Sequence, residues 1–334
     1  MNSKKNDKLS FFLYWFRKKK IYLILVIMEN CDISKGYDYI IIGTGPSSLT
    51  CAYYLSKSNK KVLLVDENNM IGGCYQITRV NGLFSEQIPR FYSEKFINFK
   101  NLLFNMDTNY NNLFNPINNN IRIPKEPNDT NLFNIWLQNI INTGNCSILF
   151  NSKIEKINYS DNIITINSKN FKSSHIITED CERLNCLTIY FHWNIKLNLQ
   201  SNYSKENIII LTDYMYFNDI RSITVISITL DKIKNNEIIN DAFNMIKKIF
   251  INLPEPTNIS FSDVKYTETK SKLGLKVITD PISIEKSIIN AIKLLHTLEP
   301  TTKKTVSILI PENIFDVLQY LFMISFILYI FKEL

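Results

Sequence analysis

The sequence predicts an α/β fold: a parallel sheet nucleated by one βαβ unit, a second, smaller α+β unit, and an apolar C-terminal helix. Three observations predict it. "YDYIIIG" is a β-branched run closing on a glycine, "PSSLTCAYYLSK" follows with helical spacing of apolar residues, and "KVLLVD" is a second apolar run ending in an acid. Together they form a strand, helix and strand within about thirty residues, the size of a βαβ unit.

Glycine usage marks where this unit carries chemistry. Only 8 of 334 residues are glycine, and six of them are Gly36, Gly43, Gly45, Gly72, Gly73 and Gly82. A chain this sparing with glycine concentrates it where backbone must turn tightly or be approached closely.

Taken in order, the first strand ends at Gly43, which permits the tight turn. Gly45 lets a pyrophosphate approach the backbone, and a helix over 46–58 starts at Pro46, Ser47 and Ser48. The helix start offers amides and a positive dipole end to phosphate. Ser48 stands where GxGxxG has its third glycine, a position that serves helix-on-strand packing, so this GxGxxS costs packing rather than the site. Asp66 closes the second strand 23 residues after Gly43, placed for ribose hydroxyls, with Glu67 beside it. The unit therefore reads as a Rossmann-like dinucleotide site.

The segment after Asp66 resembles a particular group. "DENNMIGG", with Gly72 and Gly73, followed by "CYQITRVNGLFSEQIPRFY", is similar to the flavin amine oxidase, protoporphyrinogen oxidase and UDP-galactopyranose mutase superfamily of FAD-dependent oxidoreductases, in a shortened form of the type large DNA viruses encode. The resemblance covers residues 37–92 well and thins afterwards. It implies FAD as cofactor, held noncovalently, with hydride transfer from a small-molecule donor. It also implies that Ile154 sets its backbone against adenine, and that Glu285 lies on a last FAD-binding helix with Ser287, Asn290 and Ala291. Two other outcomes stay open: a degenerate flavin-fold protein acting as a binding or membrane-attached module, and a mutase-like isomerase.

The resemblance divides the chain into a basic and apolar extension (1–35), three FAD-binding segments (36–95, 146–180 and 266–300), a helical, Asn-rich insertion (96–145), a substrate-type sheet unit (181–265) and an apolar tail (301–334). "SILFNSKIEKINYSDNIITINSKNFKSSHIIT" is expected to form short strands returning to the first unit, though an ordinary β-meander reads the same. "LTIYFHWNIKLNL", "NIIILTDYMYF" and "SITVISITLD" are strand-like and precede a helix over 238–250. Three departures count against full activity. Cys74 follows the glycine doublet where arginine or a small polar residue is usual. Ile88 precedes Pro89 where glycine is common. The Gly-Asp pair expected before the last helix is missing, with Gly274 and Asp280 apart.

No catalytic residue is assigned. His192, Trp193 and Lys196 share one strand-like run and could line a pocket, but a satisfied core His and Trp is the plainer reading. His175 and His296 add no metal spacing, and no GxSxG occurs. Six scattered cysteines without a CxxC pair suit free thiols in a reducing, cytoplasmic setting.

The net charge of +7 resides mostly at the start, where seven basic residues stand against Asp7 among the first twenty. The rest is nearly neutral, so no nucleic-acid partner is expected. Residues 1–27 read equally as an accessory or mistranslated extension ahead of Met28 and as a basic amphipathic membrane contact. Residues 317–331, broken only by Gln319 and Ser325, would make a helix of about 22 Å, short of a bilayer core of about 30 Å. A buried terminal helix and a membrane tail remain open there.

Overall fold

The structure, a computed structural model, describes residues 36–299 apart from 70, 76, 81–82, 87–91, 115–120, 123–130, 181–184, 196, 198, 200–202, 206–207, 213–215, 218–219, 230–234, 266–275 and 280–283. The chain opens with β1 (Tyr37–Ile42), α1 (Pro46–Lys57) and β2 (Val62–Val65). A 3-10 turn (Gly73–Tyr75) leads to a hairpin of β3 (Ile77–Val80) and β4 (Leu83–Glu86). Next come β5 (Tyr92–Ser93), α2 (Ile97–Asn105), α3 (Tyr110–Leu113), β6 (Ile121–Arg122) and α4 (Asn131–Asn142). Four strands follow: β7 (Cys146–Leu149), β8 (Ile154–Asn158), β9 (Ile163–Ile166) and the long β10 (Lys169–Asp180).

The parallel sheet runs β7, β2, β1, β10. Its far strand is β17 (Lys276–Thr279), also parallel to β10. Strands buried on both faces read as continuous apolar runs, which is why "IIIG" and "VLLV" show no alternation. On one face, Ile41, Val62 and Leu64 meet Leu49, Ala52 and Leu55 of α1, Trp136 and Ile140 of α4, and Ile288, Ile292 and Leu295 of α6 (Ile284–Leu298). On the other, Ile40, Leu63, Val65 and Ile176 meet Ile164, Ile166 and Phe171 of the meander β8-β9-β10.

β10 joins the layers. Its first residues, Lys169 to Lys172, pair antiparallel with β9, and from Ser173 it pairs parallel with β1. The segment is thus a meander whose last strand is a central strand of the parallel sheet. The Asn-rich segment 96–145 ends in α4, whose fully buried Trp136 packs in the same core before the chain enters β7.

The second sheet is antiparallel: β11 (Asn185–Trp193) sits between β15 (Ile220–Thr229) and β16 (Asn258–Lys265). β13 (Ile208–Leu211) pairs β15 and β12 (Tyr203–Lys205) pairs β13, while β14 (Tyr216–Phe217) pairs the start of β15. α5 (Asn235–Ile249), expected at 238–250, covers one face. There Leu187, Ile189, Phe191 and Trp193, alternating along β11, meet Ala242, Phe243 and Ile246. β4 packs on β16, linking this sheet to the hairpin that follows the glycine doublet. The apolar tail and the N-terminal extension lie outside the described residues.

Candidate cofactor site

The site forms where β1 and β2 end. Gly43 takes φ +98°, a conformation that side chains disfavour, and its N–H donates to Val65 O at 2.8 Å, so the turn is tied to the neighbouring strand. Gly45 is the N-cap of α1, in extended conformation, and Pro46 occupies the first helical turn. No side chain caps this helix start. Ser47 Oγ instead donates to Ser287 O at 3.2 Å, and Ser48 Oγ lies 3.4 Å from Ile42 O, so both hydroxyls are directed to packing partners. Ser48, in the third-glycine position, is fully buried between helix and strand.

Asp66 is 6% exposed. Its Oδ2 accepts from Thr44 Oγ1 at 2.5 Å, and its Oδ1 accepts from Asn68 N at 2.8 Å and Asn68 Nδ2 at 3.0 Å. Its backbone is fixed as well, since Asp66 N donates to Leu149 O and its carbonyl accepts from Ser152 N. The doublet folds back onto the same turn: Gly72 N donates to Thr44 O at 3.0 Å. Gly72 and Gly73 have φ of +111° and +56°, and Gly72 packs beside the Phe133 ring.

These pieces enclose a cleft of about 380 Å³ lined by Ile42, Gly43, Thr44, Val65, Asp66, Glu67, Asn68, Gly73, Ser152, Lys153 and Ile154. That volume lies within the usual range of ligand pockets. Of the residues singled out in the sequence, Gly43, Asp66, Glu67, Gly73 and Ile154 line it together. Gly72 adjoins it through Thr44, and Gly45, Pro46, Ser47 and Ser48 form the helix start next to Gly43. The residues present fit a dinucleotide: an open glycine turn and a buried acid share one cleft, and a helix start that no side chain caps adjoins it.

Glu285 does not line this cleft. Its Oε1 accepts from Asn98 N and Asn98 Nδ2 at 3.0 and 2.9 Å, and its Oε2 accepts from Phe99 N at 2.9 Å. The cause is local, because the N-cap of α2 is Phe96, which offers no side-chain cap, and an acid on α6 satisfies the orphan amides of Asn98 and Phe99. Ser287 and Ala291 of the same helix are fully buried against α1, where Ala291 O receives a long contact from Cys51 Sγ.

His192 and Trp193 part company. Trp193 belongs to the α5-covered core and donates Nε1–H to Pro254 O. His192 faces the other side of the sheet, 3.0 Å from Ser260 Oγ, and burial lowers its pKa to about 4, so the ring is neutral near pH 7. His175 stacks on Tyr39 and His296 lies on α6. Among the described residues no group of three His, Cys, Asp or Glu is placed to hold a metal. Cys74 lies in the 3-10 turn, while Ile88, Pro89, Lys196, Gly274 and Asp280 lie outside the described residues.

The sequence reading did not single out Thr44, Asn68, Ser152 or Lys153. Thr44 carried one signal, a hydroxyl inside the glycine turn. Asn68 is joined locally, since its N–H donates to Asp66 two residues before it, while Ser152 and Lys153 reach the cleft through a chain path that no local pattern encodes.

A family model for an NAD(P)-binding Rossmann-like domain matches residues 41–98. Among solved structures, the chain is similar to a putative protoporphyrinogen oxidase from Exiguobacterium sp., with 10% identity over 81% of this chain and 100% of that one and a TM-score of 0.52. It is similar to an oxidoreductase from Methanosarcina mazei, with 11% identity over 77% and 99% and a TM-score of 0.54. A Rab GDI from Plasmodium falciparum matches with 11% identity over 80% and 98% and a TM-score of 0.52. At such identities the likeness concerns the fold. The chain has a Rossmann-like FAD/NAD-binding fold.

Proposed function

We propose that the chain is an FAD-dependent oxidoreductase that takes hydride from a small-molecule donor. One observation carries this reading: the Gly43 turn and the buried Asp66 line one cleft, and the start of α1, which no side chain caps, follows that turn directly. Bound FAD would supply the hydride acceptor, its N5. The chain's own residues would bind and orient it. The α1 start and Gly45 would receive the pyrophosphate, Asp66 the adenosine ribose, and the Ile154 backbone the adenine.

The finer assignment, amine-oxidase-like chemistry, rests on the resemblance of residues 37–92. A second reading is supported by the likeness to a Rab GDI: the same fold serving as a binding module.

The visible spectrum of the purified full chain separates the two. An enzyme retaining FAD absorbs near 450 nm, or about 370 nm for its second band, as bound flavin does. A colourless protein that also fails to take up added FAD would overturn the first reading. Gly45→Val should remove the flavin while leaving circular dichroism intact, because extended backbone at Gly45 accepts a side chain that a pyrophosphate would not.

A further inference from the structure

Asn98 carries a buried acceptor without a donor. The residue is 4% exposed, and its Oδ1 accepts no hydrogen bond, although its Nδ2 donates to Glu285 Oε1 at 2.9 Å. Only the amide's nitrogen can donate to a carboxylate, so the atom left over is the oxygen. A buried acceptor is costly to leave unmet, and folded proteins nearly always supply it with a donor.

Its place in the fold says which donor. The carboxyl ends of the parallel strands carry, in order, Asp66 after β2, the Gly43 turn after β1 and, beyond β10, the end of β17 that precedes α6. Neighbouring strands lie about 4.8 Å apart, so the end of β17 is about 14 Å along this edge from Asp66. Ser47 Oγ, in the first turn of α1, donates to Ser287 O in the first turn of α6. Glu285, in that same turn of α6, takes the amides of Asn98 and Phe99 that open α2. Three helix starts thus gather past the glycine turn, on the side away from Asp66. A dinucleotide with its ribose at Asp66 and its pyrophosphate at the start of α1 runs on towards them. In FAD the group that follows the pyrophosphate is the ribityl chain, which carries three hydroxyl donors.

We propose that Asn98 is a cofactor contact whose Oδ1 accepts a hydrogen bond from a ribityl hydroxyl of FAD. The inference rests on the FAD reading above and adds to it a contact on the flavin half, whereas the cleft residues hold the adenosine half. A site built around a hydroxyl discriminates sharply, because a ligand lacking that hydroxyl leaves the acceptor buried and unmet.

The test titrates the full chain, freed of flavin, with FAD, with FAD analogues each lacking one ribityl hydroxyl, and with ADP. One analogue should bind about tenfold more weakly than FAD. Asn98→Ala should lose about as much on FAD, no longer distinguish that analogue, and keep the affinity for ADP. Saturating FAD still loads such a variant fully, so dissociation constants are the readout. If Asn98→Ala does not fold, Asn98→Ser repeats the comparison, and the analogue series on the unaltered chain decides if neither folds. The proposal is overturned if every analogue binds as FAD does, if the discrimination persists in Asn98→Ala, or if FAD and ADP weaken together. A full chain that takes up no FAD overturns the FAD reading and this contact with it, whereas uptake without discrimination overturns the contact alone.

Discussion

Between the glycine turn and the acid of β2, Thr44 spends its hydroxyl on Asp66 and its carbonyl on Gly72. One residue thus fixes both the acid and the doublet. Thr44→Val leaves a buried carboxylate short of a donor. A hydrogen bond to a charged group is worth about 2 kcal/mol, so the variant should melt at lower temperature. FAD should bind about tenfold more weakly, a loss of about 1.4 kcal/mol. Thr44→Ser should restore both, as checked by thermal denaturation and flavin titration.

Helix α2 depends on an acid 187 residues away, since Glu285 takes both backbone amides at its start and the Asn98 side chain. Glu285→Ala should cost about 2 kcal/mol in chemical denaturation, with flavin per folded molecule unchanged. Selective loss of flavin at unchanged stability would instead support the cofactor role that the resemblance implies. On β11, His192 titrates near pH 4 in the fold against its ordinary 6.5. Burial is the cause, so the unfolded chain takes up the proton first. Stability is unaffected above about pH 6.5, falls as pH drops towards 4, and levels off below, a loss on the order of 3 kcal/mol. His192→Gln should flatten that part of the pH profile in denaturant titrations.

Across the whole molecule, Glu299 closes the fold by binding the last helix to Tyr39 and Lys60. Burial pushes its carboxyl pKa up, but the Tyr39 hydroxyl and the Lys60 ammonium more than offset this and hold it below 4.5. Burial, with Glu299 beside it, pushes the Tyr39 phenol upward. The lowered carboxyl pKa stabilises the fold above about pH 4.5, and that contribution is lost as pH falls through the folded value. Glu299→Gln should therefore cost about 1 kcal/mol at neutral pH, with the difference in melting closing in acid.

The βαβ unit, its glycine turn and the order of later strands were legible because each depends on neighbours within thirty residues. Gly43, Gly45 and Asp66 announce themselves by type and spacing, and the alternation of Leu187, Ile189, Phe191 and Trp193 announces one covered face of β11. The bonds of Glu285 to the start of α2 were not legible, because they join residues about 187 apart, whereas Thr44 and Asn68 stand beside the glycine turn and the acid and were passed over because their residue types alone announce no role. The sequence by itself determined the glycine turn, the helix start and the acid that closes β2, through backbone freedom at glycine and the pattern of apolar burial. Only the tertiary structure decided that Glu285 caps a helix, that His192 and Trp193 face opposite ways, and that Glu299 meets Tyr39 and Lys60. Those outcomes depend on packing between distant segments, where an orphan amide or a buried ring takes the partner that the fold brings to it.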